Sequence, residues 1–245
     1  MKKFSIITVC LNEAKSILAT CDSICSQSYI DFDWIVIDGG STDGTLQILK
    51  EYEGSIDCLV SEQDSGIYNA MKKGASKATG DYLIFMNGGD RFASTEVLKW
   101  ASEAPRVQLL YGDVFLGNID GPLETFPDVV DPGYMLLKMI PHQATFYERT
   151  LFEALGGYDE SFKIAADYDL YARLFEVERI AHYHIPQPLA IFDQEGISNS
   201  IEFRQLRKRE NHRIRKQYFK SYRYSLKCWR QEIRNLISRV RGEST

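Results

Sequence analysis

Hydrophobic and polar positions change period repeatedly along the first half of the chain. Phe4–Val9 is a β-rich run and reads as a strand. After Asn12, a candidate helix cap, the apolar positions Ile17, Leu18, Cys21, Ile24 and Cys25 recur at helical spacing. Trp34–Ile37 is a second short apolar strand that runs into the polar loop Asp38-Gly39-Gly40-Ser41-Thr42-Asp43-Gly44, and a helix is predicted over Thr45–Tyr52. Cys58–Val60 reads as a third strand. Asp64 then caps a predicted helix through Lys77, with Gly80 ending it. Tyr82–Met86 is a fourth, buried strand. Repeated strand-helix units of this kind predict an α/β fold, a mainly parallel sheet flanked by helices and joined by right-handed crossovers. Ligands in such sheets sit beyond the carboxyl ends of the strands. Those ends carry Asn12 and Glu13, Asp38, Glu62 and Asp64, and Asn87 to Asp90, so four polar strand ends are expected to face one crevice.

The second half is less regular. Val107–Tyr111 reads as a strand, and Phe115–Asp131 is Gly/Pro/Asp-rich, a hairpin or mobile loop. Gln143–Tyr147 looks like a strand, and Thr150–Leu155 is a short helix stopped by Gly156-Gly157. A helix is predicted around Asp167–Glu176, then two strands, Ala181–Ile185 and Leu189–Phe192. From Ile201 to Arg241 the pattern is helical and basic.

The 245 residues suffice for one large α/β domain with an appendage, and 44% hydrophobic with 26% charged residues is ordinary for a soluble globular protein. The net charge of −5 is unevenly spread. Residues 202–245 hold fourteen Lys/Arg against four acids, a net of +10, which leaves −15 on the residues before them. That split points to an anionic partner for the tail alone. The five cysteines are odd in number and form no Cys-x-x-Cys pair, so they read as reduced residues of a cytosolic protein, without a structural zinc. No signal peptide or membrane-spanning run is evident.

The stretch Asn87-Gly88-Gly89-Asp90 adds chemistry. A buried strand ending in two glycines and a carboxylate leaves the backbone bare beside an acidic group, and Mg²⁺ and Mn²⁺ favour carboxylate, carbonyl and phosphate oxygens.

Taken with its neighbours, this stretch resembles family 2 glycosyltransferases of GT-A fold, of the bacterial polysaccharide and O-antigen type. The matching pieces are Ser5 to Glu13, Ile37 to Thr45, Ser61 to Met71 and Gly80 to Asp90. Pro141-His142-Gln143, Gly156 to Glu160, and Ala166 to Arg173 complete the ordered set. The resemblance covers roughly Phe4 to Ser200. It implies a glycosyltransferase domain over residues 1–200, with about 1–113 as the nucleotide-sugar-binding half and 114–200 as the acceptor and catalytic half. A basic helical extension over 201–245 then lies outside the domain.

The resemblance also implies roles. Thr8, Asn12 and Glu13 lie where the donor nucleoside is held, Asp38 reads uracil or ribose, and Asp64 lies near the nucleotide. Asn12 and Asp64 are equally suited to be helix caps alone. The family's Asp-x-Asp is represented by Asn87-Gly88-Gly89, with Asp90 following, so Asp90 is expected as the main ligand of Mg²⁺ or Mn²⁺ and Asn87 as a neutral helper. Asp167 matches the catalytic base, which an inverting transfer needs on the face opposite the leaving group. His142 is a candidate for contact with diphosphate, acceptor or metal, or a structural residue. His182 and His184 share a strand face, and Tyr68, Tyr158, Tyr168 and Tyr171 include candidate sugar-stacking residues. Lys72 is read as a solvated helix residue.

The implied activity is transfer of a hexosyl or N-acetylhexosaminyl group from a nucleotide sugar, UDP-linked, to a saccharide or lipid-linked saccharide acceptor in cell-surface polysaccharide synthesis. The rival readings are a non-catalytic sugar-nucleotide-binding module and a sugar nucleotidyltransferase. The latter wants a glycine-rich basic loop after the first strand, where Val9 to Glu13 has neither glycine nor base. The basic-aromatic tail, 201–241, is expected on an anionic membrane surface rather than on nucleic acid. The protein is thus placed in the cytoplasm, peripheral on the inner face of the membrane.

Overall fold

The computed structural model describes residues 3–178, 180–193 and 201–219. The rest of the basic tail, with Tyr222, Tyr224, Cys228 and Trp229, lies outside the described residues. Strand β1 (Phe4–Cys10) is buried at all seven positions, which is why it reads as a nearly unbroken apolar run. It pairs in parallel with β2 (Phe32–Asp38) on one side and β4 (Tyr82–Phe85) on the other, and β2 pairs with β3 (Cys58–Ser61). The connecting helices are α1 (Ile17–Cys25), α2 (Thr45–Glu51) and α3 (Ile67–Ala75). The order β3-β2-β1-β4 reverses direction between β1 and β4. That switch point opens a crevice at the carboxyl ends of these two strands.

Beyond β4 the sheet is mixed. The two-residue β5 (Arg91–Phe92) precedes α4 (Val97–Glu103) and β6 (Leu109–Leu116), and β7 (Leu123–Glu124) pairs back on β6 as a hairpin. Helix α5 (Pro132–Leu137) and a 3₁₀ turn (His142–Ala144) lead into β8 (Thr145–Glu148), which lies antiparallel between β4 and β6. Helices α6 (Arg149–Ala154) and α7 (Ala166–Ala172) follow, with a π turn at Arg173–Glu178. The two strands expected over 181–192 are one, β9 (His182–Phe192), parallel to β6 and antiparallel to β5. Its prolines, Pro186 and Pro188, fall where the register with β6 shifts at Gly112/Asp113, so their missing N–H groups cost no ladder bond.

The basic helix α8 (Ile201–Tyr218) does not stand apart from the body. Ile214 and Phe219 are buried in the common core, and the Phe219 ring stacks on Tyr168 of α7 at 6.3 Å. For residues 201–219, these contacts cross the boundary expected at residue 200.

Candidate active site

The loops after β1 and β2 are stitched to each other. Asn12 sits at φ 57°, a left-handed conformation that Asn tolerates. Its Oδ1 accepts from Thr42 N at 2.9 Å, and its own N–H donates to Ser41 Oγ at 2.8 Å. Glu13 N–H donates to Thr45 Oγ1 at 2.8 Å, and Ala14 N–H to Asp43 Oδ2 at 3.0 Å. Asn12 therefore braces the second loop and does not cap α1, which starts at Ile17.

Two residues expected to touch the nucleoside face inward. Asp38 is fully buried and accepts from Ser41 N at 3.1 Å and Ser61 Oγ at 2.6 Å, so its oxygens hold the loop and its neighbour strand. Thr8 is also fully buried, and its Oγ1 accepts from the Trp34 indole at 3.0 Å. Asp64 precedes α3, whose cap is Gly66, and pairs with Lys73 at 2.6 Å, which also pairs with Glu62 at 2.6 Å. Burial raises the Glu13 carboxyl above its ordinary range.

The Asn87–Asp90 corner is clamped from α1. Thr20 Oγ1 accepts from Gly89 N at 3.0 Å and donates to Asp90 O at 2.7 Å. The glycines are demanded by close approach. A Cβ on Gly88 would come within 2.9 Å of Glu13 Cγ, and one on Gly89, at φ 97°, within 2.7 Å of Asp193 Oδ2. Asp90 itself is buried. Its Oδ2 accepts from Gln143 Nε2 at 2.8 Å and its Oδ1 from Asp193 N at 2.9 Å. Burial pushes this carboxyl up to about 6 despite those two donors.

These residues do not form a divalent-cation cage. Asp90, the expected ligand, ties β9 and the 3₁₀ turn to this corner with both oxygens. Asn87 Oδ1 is an unpartnered buried oxygen, but it is a single neutral donor. Among the described residues no three His, Cys, Asp or Glu side chains converge as a metal site.

The other face of the corner joins three distant motifs. Asn87 Nδ2 lies 3.0 Å from His142 Nε2, and His142 Nδ1 lies 3.7 Å from Asp167 Oδ2. With the amide donating, Nε2 is the acceptor, so the neutral ring carries its proton on Nδ1, facing Asp167. The Asp167 and His142 side chains are 13% and 12% exposed, enough for a substrate group to reach the pair. Asp167 lies in the first turn of α7, where its Oδ1 accepts from Tyr168 N at 2.8 Å and from the Tyr68 hydroxyl at 3.2 Å. Burial, with the Asp167 charge beside it, holds the Tyr68 phenol well above its ordinary value, so it stays a donor. The expected sites Asn87, His142 and Asp167 thus meet. Thr20, Gln143 and Asp193 were not anticipated; the position of Asp193 directly after the apolar run Leu189–Phe192 is the one signal that could have found it.

The other candidates, and Asp169 beside Asp167, have structural partners. Asp169 pairs with Arg173 at 2.9 Å, and Arg173 also donates to Leu155 O and Gly157 O, which fixes the glycine loop before α7. Lys72 is a partly exposed residue of α3, as expected, and pairs with Glu160 at 3.0 Å. His182 Nε2 accepts from Val130 N, and His184 sits between Asp113 and Asp128, so the two histidines hold the 117–131 segment instead of sharing a metal. Tyr68, Tyr158, Tyr168 and Tyr171 are all buried, which excludes a sugar-stacking platform.

Comparison with known proteins identifies the family. The profile of Glycosyl transferase family 2 matches residues 5–112. A PGL/p-HBAD biosynthesis glycosyltransferase of Mycobacterium tuberculosis is 32% identical over 215 residues, 84% of this chain and 83% of the relative. An uncharacterized glycosyltransferase of the same organism is 35% identical over 179 residues, 69% of this chain and 67% of that one. Among solved structures, S. aureus TarS in complex with UDP-GlcNAc superposes at a TM-score of 0.66 with 20% identity, over 78% of this chain and 58% of that chain. The mannosyltransferase PcManGT from Pyrobaculum calidifontis, in complex with GDP-Man and Mn²⁺, gives 0.60 with 18% identity, over 78% and 56%. The chain thus spans less than three fifths of either solved protein.

Proposed function

The chain belongs to glycosyl transferase family 2 and is a glycosyltransferase of GT-A fold, and on that premise we propose that it is an inverting enzyme with Asp167 as base. The observation that supports this is the joining of Asn87, His142 and Asp167 at the switch-point crevice. In the proposed reaction an acceptor hydroxyl oxygen attacks the anomeric carbon of a nucleotide sugar. The bond from that carbon to the diphosphate oxygen breaks, the nucleoside diphosphate leaves, and the hydroxyl proton passes to the Asp167 carboxylate. His142 Nδ1 faces the carboxylate at 3.7 Å from one side, and the Tyr68 hydroxyl donates to it from the other. The cross-braced loops at Asn12 and Asp38 form the nucleoside end of the crevice, with Glu13 and Asp64 at its rim. The countercharge that Mg²⁺ or Mn²⁺ would supply to a leaving diphosphate enters no step here, because Asp90 is buried and each of its oxygens already accepts a hydrogen bond.

The donor we propose is a UDP-sugar carrying a hexosyl or N-acetylhexosaminyl group, and the acceptor a saccharide or lipid-linked saccharide of a cell-surface polymer. UDP-GlcNAc in one fold neighbour supports the nucleotide, while GDP-Man in the other keeps the choice a matter for assay. No described helix is long and apolar enough to cross a membrane. The outward residues of α8, including Arg204, Lys208, Arg209 and Lys216, support contact with an anionic membrane surface. A donor screen over UDP-, GDP- and dTDP-sugars, with the product anomer assigned by NMR, tests the reading. One nucleotide turned over with inversion is expected; retention of configuration would overturn it.

A further inference from the structure

Helix α8 is basic, yet among its described side chains it buries an acid. Glu210 is 9% exposed and points inward, away from the basic face. Its Oε1 accepts from Lys163 N at 2.9 Å, and its Oε2 accepts from Ile164 N and Ala165 N, each at 3.0 Å. Three consecutive backbone N–H groups on one carboxylate make a charge-assisted cradle. The place of that cradle matters more than its strength. Ala165 is the residue before α7 and has no side-chain oxygen to cap it, and Asp167 lies two residues further on. The orphan N–H groups that a helix start normally satisfies locally are met here by an acid 45 residues along the chain.

The packing around the carboxylate serves the same segment. Arg215 Nε donates to the Tyr168 hydroxyl at 3.1 Å, and the Arg213 guanidinium lies 4.6 Å from the centre of the Phe162 ring. The contacts of α8 therefore bracket Asp167 on both sides in sequence, at Phe162–Ala165 and at Tyr168. Asp167 reaches His142 and Tyr68 only while the first turn of α7 keeps its position, and both contacts are already long, at 3.7 and 3.2 Å.

We propose that Glu210 is a positioning residue for the glycosyl transfer: its carboxylate on the N–H groups of residues 163–165 sets the register of α7 and so holds Asp167 in line with His142 and Tyr68. The inference rests on Asp167 as the base. It makes α8 a working part of the catalytic centre rather than an appended tail.

The test uses the full chain and three variants. Glu210→Gln keeps the size of the side chain but turns one of its oxygens into a donor facing N–H donors. Ile214→Ala, also on the buried face of α8, weakens the packing of the helix without touching the cradle. Asp167→Asn tests the base itself. Expected is a fall in kcat of roughly 10- to 100-fold for Glu210→Gln, the scale of a small misplacement of a catalytic group, with donor KM within about twofold. Ile214→Ala, at an equal or greater loss of thermal midpoint, keeps kcat within about threefold. Equal kcat losses in the two variants at equal stability, or a folded Glu210→Gln with unchanged kcat, would overturn the proposal. If Glu210→Gln does not fold, Glu210→Asp, which keeps the charge but shortens its reach, carries the same comparison. An inactive Asp167→Asn beside a fully active Glu210→Gln removes only the positioning role, whereas an active Asp167→Asn removes the base on which it rests.

Discussion

The hydroxyl of Tyr68 on α3 and the carboxylate of Asp167 on α7, 99 residues apart in the chain, meet in a hydrogen bond of 3.2 Å. The Tyr68 ring packs on Tyr158 at 5.2 Å between centroids, so the donor cannot swing aside without disturbing the core. Tyr68→Phe removes the hydroxyl and keeps the ring. A hydrogen bond to a charged group contributes about 1.5–3 kcal/mol, which sets an expected fall in kcat of about tenfold or more with donor KM unchanged. Steady-state kinetics at saturating donor check it. Because the phenol is held well above its ordinary value, the wild-type enzyme is also expected to show no alkaline loss of kcat from this group up to about pH 10.

His142 bridges Asp167 and Asn87, so its effect on turnover should pass through the base. His142→Ala is expected to lower kcat roughly 10- to 100-fold. The double variant with Asp167→Asn should be no worse than Asp167→Asn alone, because groups acting as one unit lose their effects together. A full additional loss in the double variant would give His142 an independent contact with the substrate.

Asp90 carries a sharper expectation because its carboxyl is raised from 3.8 to about 6 by burial. The folded chain then holds this proton more tightly than the unfolded chain. The stabilisation is complete below about pH 4 and is lost as pH rises to about 6, a change on the order of 3 kcal/mol. Gln143 Oε1 lacks a partner, so an amide at position 90 has an acceptor waiting for its NH₂ group once the Gln143 amide turns over. Asp90→Asn is therefore expected to melt at or above the wild type at pH 7.5 and to lose that advantage near pH 4.5. Thermal melts across this range, with and without Mn²⁺, check it. Unchanged melting at every pH combined with lost Mn²⁺ dependence of donor binding would return Asp90 to the cation.

The difference between Asp90 and Asp167 shows what the sequence could and could not carry. The buried runs of β1, β2 and β4 were legible because strands covered on both faces must be continuously apolar. The crevice followed from the order of the strand-helix units, and motifs matched in order singled out Asn87, His142 and Asp167 separately, without placing them in contact. The direction in which each acid points was not legible. Asp38 ends β2 and Asp90 closes the turn after β4, where a ligand-binding acid would stand, but the side chains are buried against Ser61 and Gln143, and those partners come from other segments. The inner face of α8 was hidden for a similar reason. Glu210, Ile214 and Phe219 are three inward residues among a dense run of Lys and Arg that dominates composition.

The outer face of α8 carries the last expectation. Arg204, Lys208 and Arg209 are exposed on a helix whose other side is fixed to the body, so their charges are presented at a set orientation. Each basic residue near an anionic bilayer contributes about 1 kcal/mol, and the attraction decays over a Debye length of about 8 Å at physiological salt. The full chain is expected to float with vesicles containing phosphatidylserine, to stay behind with purely phosphatidylcholine vesicles, and to be released by raised salt. The triple reversal Arg204→Glu, Lys208→Glu and Arg209→Glu should weaken that partition by at least a hundredfold, since three lost attractions of this size sum to about 3 kcal/mol before any repulsion is added. Turnover on a soluble acceptor should be unchanged, because none of the three side chains is among the groups that hold α7. Equal flotation of wild type and variant would assign the basic face to some other contact, and a parallel loss of soluble turnover would show that the reversal had disturbed the inner face as well.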